Sequence, residues 1–142
     1  MGIPYLYWPE FMEGAGAQAE GMLANAKLFD PDNNPVHADL IARLEPRIKA
    51  DAGVNQEHFV ASCWTSLVVA LLEKVGSADA GDLSAAMPEF SHDCVIGTWE
   101  YDTSIHRPKV GADFIALPSS QVQNGKHVVV WPPNDNASFM AK

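Results

Sequence analysis

The residues from Asn55 to Gly76 constrain the fold more than any other part of the sequence. Apolar side chains recur there at helical spacing in two adjacent rows: Phe59, Cys63, Leu67, Leu71 and Val75, with Val60, Trp64, Val68 and Leu72 beside them. Asn55 suits the N-cap of such a helix, and Gly76 suits its C-cap. So broad an apolar sector predicts a long helix that is buried on most of its sides.

The length and composition bound the class of protein. A chain of 142 residues predicts one domain, expected over residues 1–133, with a flexible tail over residues 134–142. The helix and strand patterns described below make it an α/β domain. The net charge of −9 argues against nucleic acid and anionic membranes as partners. The sequence contains no run of about 18 apolar residues free of polar groups and no signal-peptide pattern at its start. Neither a membrane-spanning helix nor a signal peptide is therefore expected.

Two shorter helices are expected, one on each side of the long helix. Residues Val36–Ala50 show an amphipathic pattern with Asn34 as a possible N-cap, and Pro46 should kink or end that helix. After the long helix, either Ser77 or Asp79 should cap a short helix. These local signals predict three helices before the pattern changes.

Strand patterns dominate the last third of the chain. The stretches Val95–Tyr101 and Ala112–Leu117 are typical of strands. Asn124-Gly125 between two apolar runs predicts a tight β-hairpin, because both central residues of a type I′ turn need positive φ. Nearer the start, Met1–Trp8 has the alternation of an edge strand. The glycine-rich stretch Glu13–Gly21 predicts a loop or close-packed turn.

Few residues are spaced for chemistry. His92 and Cys94 lie two residues apart, as two zinc ligands could, but no second pair at ligand spacing follows, so we predict no metal site and no cofactor. Asp102 and His106 could form an acid/base couple, yet the sequence contains no nucleophile-elbow pattern. A turn aspartate beside an exposed histidine is the simpler interpretation. We therefore assign no catalytic residue.

The two cysteines permit one disulfide. Cys63 falls on the apolar face in the middle of the long helix. That position favours a buried free thiol over a bridge to Cys94, because free cysteine behaves as a small apolar side chain.

A series of short motifs over about residues 14–133 resembles the C-terminal part of type I periplasmic binding proteins. These are the substrate-binding components of ABC transporters for branched-chain amino acids, amides and urea. The matching residues are, in order, Ala19–Leu23, the helix Phe59–Leu72 followed by Glu73–Ser77, Phe90, Gly97, Tyr101-Asp102, the turn segment Gln121–Lys126, and Val128–Pro132. The chain departs from the family at Trp64-Thr65-Ser66, where the family commonly has Tyr-Asp-Ala, and in its length, which is less than half of the family's.

The resemblance implies a partial periplasmic-binding-protein lobe, with helices packed on a sheet and a C-terminal β-hairpin. Its implied function is to bind a small-molecule solute, an amino acid or amide, without chemistry, in a cleft between two lobes. In branched-chain members an aromatic residue near the start of the matching helix lines the cleft, and Phe59 corresponds to it. Trp64, on the same helix, is the second residue expected to bind ligand.

The resemblance also implies a periplasmic location and, for a full-length protein, an ABC permease as partner. A lobe that lacks strands would expose a sheet edge, so we expect a homo-oligomer that covers it. Two alternatives stay open. One is a small α/β hydrolase-like enzyme that uses Asp102 and His106, and the other is a truncated product without independent function.

Overall fold

A computed structural model describes residues 4–25, 27–48, 53–133 and 139–140. They belong to two compact units, which we call unit 1 (Met1–Gln56 and Leu117–Lys142) and unit 2 (Glu57–Ala116). The α-helices in the described residues are α1 (Pro9–Ala15), α2 (Pro35–Leu44), α3 (Gln56–Val75) and α4 (Ala80–Ala86). The strands in the same residues are β1 (Leu23–Ala24), β2 (Ser91–Cys94), β3 (Gly97–Asp102), β4 (Arg107–Pro108), β5 (Ser119–Gln123) and β6 (Lys126–Trp131).

The N-terminal segment of unit 1 is helical. A 3₁₀ turn at Pro4–Tyr7 precedes α1. The edge strand predicted over Met1–Trp8 is therefore wrong for residues 4–8, and residues 1–3 lie outside the described residues. Leu6 and Tyr7 are adjacent and both buried, whereas a strand would place them on opposite faces. An alternation among residues that are all apolar cannot separate a strand from a helical turn.

The glycine-rich stretch that follows is also mostly helical. The loop predicted for Glu13–Gly21 is wrong for residues 13–15, which belong to α1, and Gly16–Ala19 form a 3₁₀ turn. Glu20 and Gly21 then lead into β1 as a turn. The small core of this part of unit 1 consists of Leu6, Tyr7 and Ala24, with Phe11 and Phe29 packed against them.

The local signals of α2 are confirmed. Asn34 is its N-cap, and the Asn34 Oδ1 atom accepts a hydrogen bond from the Val36 amide at 3.0 Å. The α-helix ends at Leu44 and continues as a 3₁₀ turn over Glu45–Arg47, because Pro46 cannot donate to the helical ladder. Of the predicted span to Ala50, residues 49–50 lie outside the described residues.

The sheet of unit 1 has the strand order β1-β5-β6, with antiparallel pairing throughout. Asn124 and Gly125 join β5 to β6 with φ of 53° and 73°, which confirms the predicted hairpin. The Glu20 carboxylate accepts the amides of both turn residues, at 3.0 Å from Asn124 and 3.2 Å from Gly125. The turn at this end of the sheet is therefore held by a residue about a hundred positions earlier in the sequence.

Helix α3 has one buried stripe rather than burial on most sides, so that prediction is wrong. Phe59, Cys63, Leu67 and Leu71 are at most 4% exposed, whereas Trp64, Val68 and Val69 are 50%, 48% and 48% exposed. The reason is that unit 2 packs its apolar side chains onto one side of the helix. Leu67 and Leu71 share a core with Phe90 and Trp99, and residues of α4 pack against it.

The C-terminal end of α3 and the start of α4 follow the local signals. Gly76 has φ of 69° and its amide donates to the Leu72 carbonyl at 2.8 Å, as a C-cap glycine does. Asp79, one of two predicted caps for α4, accepts hydrogen bonds from the amides of Gly81 and Asp82.

In length and hydropathy, α3 is the one helix of the described chain that could also cross a membrane. The core helix of a folded domain often has the same properties, and α3 supplies Leu67 and Leu71 to a core.

The strands of unit 2 differ from their predicted bounds. Of the predicted strand Val95–Tyr101, residues 95–96 form a turn and residues 97–101 belong to β3. β3 pairs antiparallel with β2 through this turn and with β4 on its other side. The predicted strand Ala112–Leu117 is wrong, since only isolated bridges form there, at Ile115. β-propensity measures how well a side chain suits a packed, pleated surface, and it does not fix pairing.

Cys63 and Cys94 form a disulfide that joins α3 to β2, with their Cα atoms 5.0 Å apart. The prediction of a buried free thiol is therefore wrong. Cys63 is buried, as its place in the apolar stripe requires, but the neighbour that buries it is Cys94, 31 residues away in sequence. Helix periodicity identifies a buried face without naming what lies against it.

Candidate functional site

The two residues expected to bind ligand lie on different faces of α3. Phe59 is 0% exposed and Trp64 is 50% exposed. Five residues correspond to a rotation of about 140° around a helix. The helix therefore does not bring the two side chains together, and their roles as ligand contacts remain predictions.

A polar pair on α3 and β2 was not predicted from the sequence. The Ser66 Oγ atom donates to the Cys63 carbonyl at 2.9 Å, one helical turn back, and lies 3.0 Å from the His92 Nε2 atom. Because the Ser66 proton is engaged, the protonated His92 Nε2 atom donates to Ser66. The His92 ring is parallel to the Phe90 ring, with centroids 6.2 Å apart.

This geometry suits hydrogen bonding rather than nucleophilic attack. A catalytic base must accept the proton of the nucleophile, and here Ser66 gives its proton to a backbone carbonyl instead. Neither can His92 and Cys94 share a metal, since the Cys94 sulfur is bonded to Cys63. In the part of the chain that the structure describes, no group of three or more His, Cys, Asp and Glu side chains is arranged to hold a metal ion.

Asp102 and His106 lie around one turn but are engaged by different neighbours. The Asp102 Oδ1 atom accepts the Ser104 hydroxyl at 2.6 Å and the Ser104 amide at 2.9 Å. The hydrogen bond from the Ser104 side chain is the main reason that the pKa of Asp102 is below its usual value. The His106 Nδ1 atom lies 3.3 Å from the Tyr101 hydroxyl. The arrangement is that of a structured turn.

Unit 1 contains a buried hydrogen-bond chain that the sequence did not suggest. The Tyr7 hydroxyl lies 3.1 Å from Ser120 Oγ, which lies 3.3 Å from His127 Nδ1, and His127 Nε2 lies 2.8 Å from the Leu6 carbonyl. Because a carbonyl only accepts, His127 carries its proton on Nε2. It follows that Ser120 donates to His127 and that Tyr7 donates to Ser120.

Burial sets the protonation states of Tyr7 and His127 in this hydrogen-bond chain. It raises the pKa of Tyr7 to about 12 and lowers the pKa of His127 below its usual value, with the nearby Lys27 charge acting in the same direction on His127. Ser120 is 0% exposed, so its hydroxyl is enclosed by protein. The chain satisfies polar groups inside unit 1. The sequence signal for this hydrogen-bond chain was a histidine, His127, next to three valines in β6. The hydrogen-bond partners of His127 lie up to 121 residues away.

Comparison with known proteins bears on the fold. No family model matches the sequence, and no curated protein matches it either. Solved structures do match, among them a crystal structure of the leucine-, isoleucine-, valine-, threonine- and alanine-binding protein from Brucella ovis in a closed conformation, with a TM-score of 0.65 and 19% sequence identity. The match covers 82% of this chain and 29% of that one, so this chain spans less than a third of that protein's length. The chain is therefore a mixed α/β protein with helices, two small sheets and a C-terminal β-hairpin, resembling a partial periplasmic-binding-protein lobe.

Proposed function

We propose that this chain is a solute-binding component, or a portion of one, of an ABC transporter for amino acids, amides or urea, and that it binds its ligand without chemistry. The observation that carries the proposal is the likeness in fold to a protein that binds leucine, isoleucine, valine, threonine and alanine. The proposal takes residues 1–133 as one functional domain, built from two compact units. In a full-length protein, the partner would be an ABC permease.

The disulfide supports the periplasmic location that the proposal requires. Disulfides form and persist in oxidising compartments and are rare in the cytosol of mesophiles. The Cys63–Cys94 bond joins two elements of unit 2. A structural bond of this kind agrees with a protein that folds outside the cytoplasm.

Of the two proposed ligand contacts, Trp64 has the surface for direct contact. Half of its side chain is exposed, and an indole ring offers a large apolar face to a branched aliphatic solute. Phe59 is enclosed, so we assign it a supporting role: it packs inside the protein and holds α3, the helix that carries Trp64, in place. Both assignments are part of the proposal.

Calorimetry with the oxidised full chain tests the proposal. The ligands are leucine, isoleucine, valine, threonine, alanine, short amides and urea. We expect saturable but weak binding to at least one of them, with Kd of about 1 mM or more, because a partial lobe supplies only part of the contacts. Trp64→Ala should weaken it about tenfold, whereas Trp131→Ala, which removes an exposed tryptophan of β6, should leave it unchanged.

Absence of saturable heat with all of these solutes at about 10 mM would contradict solute binding by this chain. That result would favour a truncated product without independent function. The hydrolase-like alternative draws no support from geometry, since Asp102 and His106 are engaged by different neighbours. Turnover of a model ester that is lost in both Asp102→Asn and His106→Gln would revive it.

A further inference from the structure

The side chain of Gln121 makes the largest set of hydrogen bonds among the described buried polar residues. It lies in the middle strand of the unit 1 sheet and is 1% exposed. Its Nε2 group donates to the carbonyls of Gly21 at 3.2 Å and Met140 at 2.8 Å. Its Oε1 atom accepts from the Met140 amide at 2.9 Å and from Gln123 Nε2 at 3.0 Å. A carboxamide has two donors and two acceptor sites, and all four are used.

Two of these four bonds go to the backbone of one residue. The Gln121 carboxamide binds both the N–H and the C=O of Met140, as a residue in an antiparallel strand binds its partner. The side chains of Phe139 and Met140 are 57% and 44% exposed. The C-terminal segment is therefore held here through its main chain, and its side chains leave much of their surface in solvent.

We propose that Gln121 is a recognition site for a peptide backbone, and that its ligand in solution is this chain's own segment Phe139–Met140, docked as a strap on the unit 1 sheet. The site favours occupancy, since an empty site would leave a buried donor and a buried acceptor without their Met140 partners. Recognition depends on the main chain, so it is independent of the side chains at residues 139 and 140. This role is separate from solute binding and does not depend on it.

Amide hydrogen exchange in the ¹⁵N-labelled full chain tests the strap. In the wild type, we expect the Met140 amide to exchange at least about tenfold more slowly than an unprotected amide. Gln121→Glu replaces the donating group by an oxygen that repels the carbonyls of Gly21 and Met140. It should return the Met140 amide to within about twofold of the unprotected rate. Phe139→Ala and Met140→Ala, which keep the backbone, should preserve the protection.

A second variant changes the docked segment and leaves the sheet of unit 1 unchanged. Met140→Pro removes the amide that donates to Gln121 Oε1. We expect the side-chain NH₂ protons of Gln121 to exchange about tenfold faster in this variant than in Met140→Ala. This measurement keeps the proposal testable if Gln121→Glu does not fold. An unprotected Met140 amide in the wild type would overturn the docking, and protection lost in Phe139→Ala or Met140→Ala would overturn recognition through the backbone.

Discussion

Gly97 is the residue in unit 2 whose backbone leaves least room for substitution. Its φ is 128°, a region that L side chains rarely adopt. A Cβ atom at this position would collide with the Phe114 carbonyl oxygen and lie 3.2 Å from the Ile115 Cα atom. The start of β3 can therefore approach the 114–115 segment only because this residue has no side chain.

Gly97→Ala should lower the free energy of unfolding by about 1–3 kcal/mol, because it combines backbone strain with a collision against backbone atoms. Urea denaturation followed by circular dichroism measures the change. Gly14→Ala is the matched control, since Gly14 lies in α1 and a Cβ there meets no atom within 4 Å. We expect that control to be neutral or stabilising by about 0.5–1 kcal/mol. Equal stability of the two variants would contradict the packing at Gly97.

The buried His127 makes stability depend on pH. Burial lowers its pKa in the folded state, so the folded state takes up a proton at lower pH than the unfolded state does. Its contribution is therefore constant above the unfolded pKa of about 6.5 and is lost as the pH falls from there towards the folded pKa. We expect the free energy of unfolding to fall as the pH is lowered from about 7 to about 5.

The His127 titration can be followed by NMR, with the other four histidines of the chain as internal comparison. Its ring should titrate below about 6.5. A pKa at or above that value would show that the ring is solvated and that the chain from Tyr7 through Ser120 is not formed as described.

Helix α3 provides a test of one-sided burial. Leu71→Ala on the buried stripe should lower the free energy of unfolding by about 2–5 kcal/mol, because it leaves a cavity beside Phe90 and Trp99. Val68→Ala on the outer face should change it by less than about 1 kcal/mol, since half of that side chain is already in solvent. Thermal denaturation of the two variants measures the contrast. Equal losses would mean that both faces are covered.

Signals confined to a few residues were readable in the sequence. The cap at Asn34, the cap at Asp79, the end of α3 at Gly76 and the turn at Asn124-Gly125 all follow from local backbone chemistry. The Cys63–Cys94 bond, the exposed side of α3 and the docking of Met140 on Gln121 depend on residues distant in sequence. Of the candidate site, the sequence identified the helix and placed Phe59 and Trp64 in different rows, but it could not show that one row is buried and the other exposed.

The disulfide stabilises the molecule by restricting its unfolded state. It closes a loop of 31 residues, for which chain entropy predicts about 3–4 kcal/mol. The double substitution Cys63→Ala with Cys94→Ala should lower the free energy of unfolding by about that amount, measured by urea denaturation. The wild type treated with a reductant is the control and should lose a similar amount. No change in either sample would show that the bond does not form in solution.

We expect the outer face of α3 to take part in self-association. Trp64, Val68 and Val69 are each about half exposed, and no Asp, Glu, Lys or Arg occurs from residue 58 to residue 72. Because Trp64 is also the proposed ligand contact, association through this face would compete with solute binding. Exposed apolar surfaces of this kind associate, so we expect a homodimer or larger oligomer by light scattering. Val68→Asp should shift it towards the monomer, because association would bury a charge.

Val110→Asp is the matched control for that change, since Val110 is also about half exposed but lies outside α3. It should leave the oligomer unchanged. A wild type that is monomeric at about 100 μM would contradict self-association with a Kd below about that concentration. An oligomer that persists in Val68→Asp would place the interface elsewhere.

Unit 2 is one continuous stretch that interrupts unit 1, so unit 1 begins first along the chain but is completed last. Glu57–Ala116 is synthesised before β5, whereas β1 must wait for β5 before Leu23 and Ala24 can pair. The side chains that β1 carries, among them the buried Ala24, therefore obtain their strand partner only after every residue of unit 2 has been added to the chain.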